Sequence, residues 1–401
     1  MRRLGAALAG LTALTLAASA AAEPVADKGC ATLAARVDAV SGGGPVFLAS
    51  YDDVDDEPAL LGAAFTYDNA LAAIALAACG DVPRARRVGA ALLAAASADR
   101  ADPLGRLRSA YRAGAASRVP QPHGWWDAEG GHWAEDPMQV GTATGNVAWA
   151  GLALLTVGQA TGDARYRAAA VRLGQWAEVQ AWDRLWGGFS GGVHGDGAGT
   201  RRLGWKSTEH NVDLAALYAW LGRSDSRWRP AAEAARAFVA EQWQPADGHF
   251  LTGTLPDGHS PNRATSGLDA QVWPLLLPDA PRDWRRVLAY VRAAHGVGAG
   301  FDFNDDRDGI WWEGTAQVAL ALAATGDQAG WNTALATLAG QFSPGGLIWA
   351  SSVPRLTTGL ALAPDSGEAD FVYYRRPHLG ATAWAVLAAR RWNPFVGRPL
   401  P

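Results

Sequence analysis

Apolar and polar positions in this chain change by the block, not by the residue. Six stretches are apolar on nearly every side: 66–81, 144–163, 208–222, 268–277, 313–327 and 379–389. A helix with no polar face belongs in an interior. Each stretch is preceded or followed by an amphipathic one: Cys30 to Val40, Arg84 to Ala98, Ala164 to Val179, Trp228 to Trp243, Arg282 to His295 and Gly330 to Phe342. These keep one apolar stripe and a polar back, the pattern of helices that cover a core from outside.

The connections are unequal. From an apolar helix to the next amphipathic one the chain spends only a few residues, as in Gly162-Asp163 or Gly326-Asp327-Gln328. Such turns join antiparallel neighbours. In the other direction most loops are long and carry Trp, Asp, His and Gly. The repeat is too irregular for a solenoid. Six fully apolar helices ringed by six amphipathic ones predict an all-α fold, a closed (α/α)6 barrel, with every long loop on one face. Binding and catalysis usually sit on such a face.

The hairpin count and the loop asymmetry resemble the six-hairpin glycosidase superfamily across essentially the whole mature chain. Trp311-Trp312-Glu313, at the mouth of the fifth apolar helix, is similar to the Trp-Glu setting of the general acid in glucoamylase-like members. That resemblance implies glycoside hydrolysis by two carboxyl groups, mostly with inversion.

Composition narrows the partners. The 401 residues carry a formal charge of −4, which leaves no basic footprint for nucleic acid. Trp is abundant, 19 against 8 Tyr and 10 Phe, and indole faces stack on sugar rings; most of the individual Trp residues read as core or seam fillers. Arg2 and Arg3, the apolar run Leu4 to Leu16, and Ala20-Ala21-Ala22 before Glu23 have the layout of a signal peptide spanning 1–22. The expectation is an exported, monomeric domain over 23–401, periplasmic or secreted, with no membrane span in the mature chain. An oxidising compartment permits Cys30 and Cys79 to pair; two buried thiols are the alternative.

The starts of the apolar helices collect polar residues on the long-loop face, where helix dipoles and free N–H groups favour oxygen-rich ligands. Glu313 is the leading candidate for a proton donor, because apolar indoles raise a carboxyl pKa. Glu209, within Trp205-Lys206-Ser207-Thr208-Glu209-His210-Asn211, and Asp68 are the other catalytic candidates, and the three possible pairings stay open. Candidates for binding sugar are Trp125, Trp126, Asp136, Asn146, Trp205, Lys206, His210, Asn211, Asp269, Gln271, Trp312, Tyr373, Tyr374 and Arg375. For any one polar residue among them, capping or positioning a helix is the competing role. Asp302, Asn304, Asp306 and Asp308 alternate as in a Ca²⁺ loop, but their Gly spacing departs from an EF-hand and no metal is expected. No cofactor is expected, since HExxH, CxxC and GxSxG are all absent.

Three activities fit: a glycoside hydrolase, a polysaccharide lyase using His210 and Tyr373 with Lys206, Arg375 and Arg376 against a uronate, and a non-catalytic carbohydrate-binding protein. An epimerase also uses this barrel; the export signal argues against it.

Overall fold

Helices form where the blocks predict them. In chain order they are α1 (Gly5–Asp38), α2 (Thr66–Ala78), α3 (Val82–Ala95), α4 (Thr144–Thr161), α5 (Ala164–Gln180), α6 (Thr208–Gly222), α7 (Arg229–Gln242), α8 (Leu268–Val272), α9 (Val287–Ala294), α10 (Trp312–Thr325), α11 (Gln328–Ala339) and α12 (Leu379–Ala389). The structure, a computed structural model, describes residues 5–101, 106–364 and 366–401, with side chains from residue 22 onward. Arg2, Arg3 and Leu4 of the expected leader lie outside the described residues. Among those described, no helix is long and apolar enough to cross a membrane.

The even-numbered helices form the inner ring. α2 packs on α4, then α4 on α6, α6 on α8, α8 on α10, α10 on α12, and α12 returns to α2. Each of α3, α5, α7, α9 and α11 covers the inner helix before it. α1 instead covers α12, so the first helix of the chain backs the last. Gly29 lets them approach: a Cβ there would strike a methyl of Val386 on α12. A disulfide joins Cys30 of α1 to Cys79 at the end of α2, with Cα atoms 6.0 Å apart. The (α/α)6 toroid is closed.

Three elements differ from the sequence expectation. α1 begins far upstream of Cys30, in one continuous helix packed from Ala22 onward. α8 stops after one turn and continues as 3-10 helix over Trp273–Leu276, because Pro274 brings no N–H. Tyr373 and Tyr374 lie not in a loop but in a strand, Phe371–Tyr374, paired antiparallel with Arg355–Leu360.

Side chains in the first turn of the inner helices tie down the long loops. The fourth residue of five inner helices pairs with the backbone of a loop residue. Asn69 accepts from Leu48 N–H and donates to its carbonyl, Asn211 does the same with Phe189, and Gln271 with Phe250. Thr315 accepts from Phe301 N–H and Thr382 from Ile348 N–H. Thr66, Thr144 and Thr208, the opening residues of α2, α4 and α6, donate instead to the carbonyls of Arg108, Ser190 and Leu251. Buried loop backbone needs such partners. Ser207, not Thr208, accepts the capping N–H of α6.

The disulfide spans 49 positions of sequence, a closure worth roughly 4 kcal/mol in the chain-entropy account. Reduction, or the Cys30→Ser/Cys79→Ser pair, is expected to lower the unfolding free energy in urea by about 4 kcal/mol and the midpoint with it. An unchanged midpoint contradicts the stapling role.

Candidate active site

Ring closure makes inner-helix register decisive, because the second and sixth residues of each helix meet at the axis. Trp149 of α4, Trp273 after α8 and Trp384 of α12 come from helices that are not neighbours, yet their rings lie 5.2–5.7 Å apart. Phe395 packs against two of them. This is an apolar floor. One turn above it stand the second residues Tyr67, Glu209, Asp269 and Glu313.

The first cluster is built across the axis from α2, α10 and α12. Tyr67 accepts from the Trp384 indole N–H at 2.7 Å and donates to Glu313 Oε1 at 2.7 Å. Gln317, one turn below, also donates to that oxygen. Glu313 is 1% exposed, and its second oxygen has no hydrogen-bond partner among the described residues. His378 stands 3.5 Å from that oxygen and 3.3 Å from Asp68 on its other side. Its Nδ1 accepts from Ala381 N–H, so in the neutral ring Nε2 carries the proton toward Asp68. Burial lifts the Glu313 pKa to about 7; His378 and the Tyr67 bond hold it down, while Asp68 and Asp269 push it up. Burial pulls His378 down, but the charges of Asp68 and Glu313 outweigh it and the net shift is upward.

The second cluster belongs to α6 and α8. Glu209 and Asp269 share a hydrogen bond, with Glu209 as the protonated partner. Burial, then the charges of Asp269, Asp213 and Glu313, raise Glu209 well above its ordinary value. Burial raises Asp269 to about 6 against its bonds to Ala270 N–H and Glu209. Asp213 lies one turn below Glu209 and is 0% exposed. Neither of its oxygens meets a partner in hydrogen-bond geometry among the described residues; the Trp149 indole N–H is close enough only to temper its raised pKa. Burial holds His210 neutral, at about 4, with its ring tilted against Trp205. Two carboxyl clusters thus face one another over an indole floor, and Glu209, half-buried, opens to the mouth.

Three solved structures share this arrangement of helices. A glycosidase variant in complex with glucose matches with TM-score 0.61 at 16% identity, covering 94% of this chain and 98% of that one. The cellobiose 2-epimerase from Spirochaeta thermophila matches with TM-score 0.64 at 14% identity, covering 95% and 97%. An alpha-amylase from Clostridium perfringens matches with TM-score 0.53 at 10% identity, covering 82% and 87%. These likenesses show the fold, a closed (α/α)6 toroid like that of a glycosidase, an epimerase and an amylase. No protein-family model matches the chain. No curated protein matches its sequence.

Within the six-hairpin toroid, the expected site residues separate into two groups. Asp68, Glu209, His210, Asp269 and Glu313 reach the pit, and Asn146 and Trp205 are half-buried at its edge. Others are spent elsewhere. The amides of Asn211 and Gln271 are consumed by loop backbone, a correction to the sugar-binding role expected of them. The Lys206 ammonium pairs with Asp183 at 2.8 Å and lies over Phe238 of outer helix α7. Asp136 caps the one-turn helix Pro137–Val140. Trp125 and Trp126 sit on a hairpin with 132–134, Trp126 opposite Trp133 and both exposed. Trp312 is buried at the start of α10, and the hydrogen bonds of Glu313 go to Tyr67 and Gln317. Tyr373 belongs with the first group: its ring packs on Trp311 and lies 6.2 Å from that of His378. Burial raises its pKa, and the charges of Glu313, Asp269 and Asp68 add to the rise. Tyr374 is half-buried and Arg375 lies over Trp349.

Sequence reasoning left Tyr67, Asp213 and Gln317 without roles. The signal lay in the register: each is the second or sixth residue of an inner helix. Atoms of Asp68, Glu313 and His378 come within 4.8 Å of one another, as do those of Asp302, Asp306 and Asp308. In the first grouping Asp68 meets His378 in a hydrogen bond; in the second the carboxylates accept from the N–H groups of Phe303, Asp308, Gly309 and Thr357.

Two outcomes follow for stability. Gly380 begins α12 against this cluster, and a Cβ there would lie 2.6 Å from Asp68 Oδ1 and 2.8 Å from Glu313 Oε2. Gly380→Ala is therefore expected to destabilise by about 1–3 kcal/mol in urea unfolding; a neutral substitution contradicts the packing. Glu313 binds its proton more tightly folded, at about 7, than at its ordinary 4.5. Its stabilising share is complete below 4.5 and is lost as pH rises through 7. Glu313→Gln should flatten the fall in urea midpoint between pH 5 and 8; an unaltered slope contradicts the assignment.

Proposed function

We propose that this chain is an exported glycoside hydrolase. The observation that carries the reading is Glu313. It is a buried carboxyl whose pKa burial lifts to about 7, with one oxygen fixed by Tyr67 and Gln317 and the other without a hydrogen bond among the described residues, 3.5 Å from His378. A proton donor to a glycosidic oxygen needs this combination. Its Trp-Trp-Glu setting and the glycosidase of the same fold solved with glucose support the same reading. The bonded Cys30–Cys79 pair supports export.

Asp68 stands on the same side as Glu313, tied to it through His378. The carboxyls across the pit are Glu209 and Asp269, and their shared proton leaves one negative charge between them. That pair is the base that draws a proton from water as it attacks the sugar on the face opposite Glu313. Inversion follows from a donor and a base on opposite faces. Asn146 and Trp205 hold the ring at the rim.

The lyase reading loses two of its three cations, and the third, Arg375, lies over the Trp349 ring. Lys206 is paired with Asp183, and Arg376 with Asp56 at 2.7 Å. The epimerase of the same fold gives a second reading some ground, because His210 and His378 are both buried in the two clusters.

Glu313→Gln is expected to cut kcat/KM on natural glycosides by about 10²–10⁴, and much less on a glycoside with a dinitrophenolate leaving group, which needs no proton. Full activity of the variant on natural substrates overturns the assignment. The pH profile should be a bell, rising as the Glu209–Asp269 pair ionises near 6 and falling as Glu313 deprotonates near 7. Sustained activity to pH 9 contradicts Glu313 as donor.

A further inference from the structure

One segment of the chain reaches the axis from the face opposite the long loops. After α12 the last residues turn back as a hairpin, Trp392–Asn393 paired antiparallel with Arg398–Pro399. It is tied to three inner helices at their far ends. Asn393 donates to the Leu276 carbonyl at 2.8 Å, where the 3-10 continuation of α8 stops. Gln159, near the end of α4, donates to the Gly397 carbonyl at 3.4 Å. A Cβ on Gly397 would strike the Trp220 ring near the end of α6. α8 and its continuation are five and four residues long, against 18 for α4 and 15 for α6. The inner ring is short on that side, and the hairpin fills it.

Phe395, between the two strands, is 1% exposed, and its ring lies 5.5 Å from Trp149 and 6.1 Å from Trp273. Those two indoles lie 5.4 and 6.4 Å from the Tyr67 ring, and Tyr67 donates to Glu313. A run of packed rings therefore leads from the C-terminal hairpin to the Glu313 carboxyl. Interiors are close-packed, so removing one ring leaves a cavity. The indole N–H groups of Trp149 and Trp273 meet no partner in hydrogen-bond geometry among the described residues, and Asp213 stands beside the first. A cavity opened under them has the polar groups that hold water.

We infer that the C-terminal hairpin is the lower wall of the site, and that Phe395 is a positioning residue: it backs the indole floor, keeping Tyr67 in place and water away from Glu313. The inference rests on the hydrolase reading for its bearing on catalysis. The titratable groups that face Glu313 are Tyr67 and Asp68 of α2, Glu209 of α6, Asp269 of α8, His378 before α12, and Tyr51 and Tyr373. All enter from the long-loop end. Phe395 brings no charge, so replacing it acts through hydration and through Tyr67. Hydration lowers the Glu313 pKa, whereas a slackened Tyr67 bond raises it; burial is the larger cause, and the net shift is downward.

Carbon-13 NMR of protein labelled at the glutamate carboxyls tests this without substrate, the Glu313 resonance being the one lost in Glu313→Gln. The midpoint is expected near 7 in the parent protein. In Phe395→Ala it should fall by about half a pH unit or more, and Phe395→Met, which refills the space, should restore most of the difference. An unchanged or raised midpoint in folded Phe395→Ala overturns the inference, as does an equal fall in Phe395→Met. If Phe395→Ala does not fold, Asn393→Ala, which frees the hairpin from Leu276, decides: a lowered midpoint upholds the inference and an unchanged one overturns it. On any glycoside that is cleaved, the alkaline limb of kcat/KM should move with the midpoint. A midpoint that falls while the limb stays removes Glu313 as donor and leaves the role of Phe395 standing.

Discussion

Closing six apolar helices on themselves confines nearly all their polar groups to the first turn. Below that turn the axis is filled by Trp149, Trp273 and Trp384, with Asp213 and Gln317 the polar side chains at their level. Above it the long loops must be secured. Every polar side chain in that turn therefore has one of two occupations. It satisfies loop backbone, as Asn69, Asn211 and Gln271 do, or it turns to the axis and keeps its hydrogen-bonding capacity for something else.

Helix register assigns the occupation. The fourth residue of an inner helix points toward the preceding loop, and the second and sixth point inward. The Tyr67–Glu313 bond crosses the ring for this reason, joining α2 to α10 although the two are not neighbours. It also fixes which Glu313 oxygen is hydrogen-bonded and which faces His378. Desolvation by the same closed ring raises Glu313, Glu209 and Asp269 together, so architecture and acidity have one cause.

The barrel was readable from the sequence because its signal is long-range and redundant. Six apolar blocks, six amphipathic partners and five short turns all demand one ring. The site was readable in part. Glu313, Glu209 and Asp68 stood out as charges at the mouths of apolar helices, but the same cue also selected Asn211, Gln271 and Lys206, which serve the scaffold. Telling the two apart takes the helix's first residue to within one position, and sequence pattern does not locate it that finely. Glu313 was read as opening its helix, whereas Trp312 does. Asp213 lies deeper in an apolar run, without the polar neighbours that drew notice to Glu209.

The central claim is that Glu313 and the Glu209–Asp269 pair act on a glycosidic bond from opposite faces. Proton NMR of the first sugar released from a cleaved glycoside tests it most directly. The account predicts a new reducing end whose anomeric configuration is opposite to that of the bond broken. A retained anomer, an unsaturated product absorbing in the near ultraviolet, or an epimerised sugar with no new reducing end would contradict it.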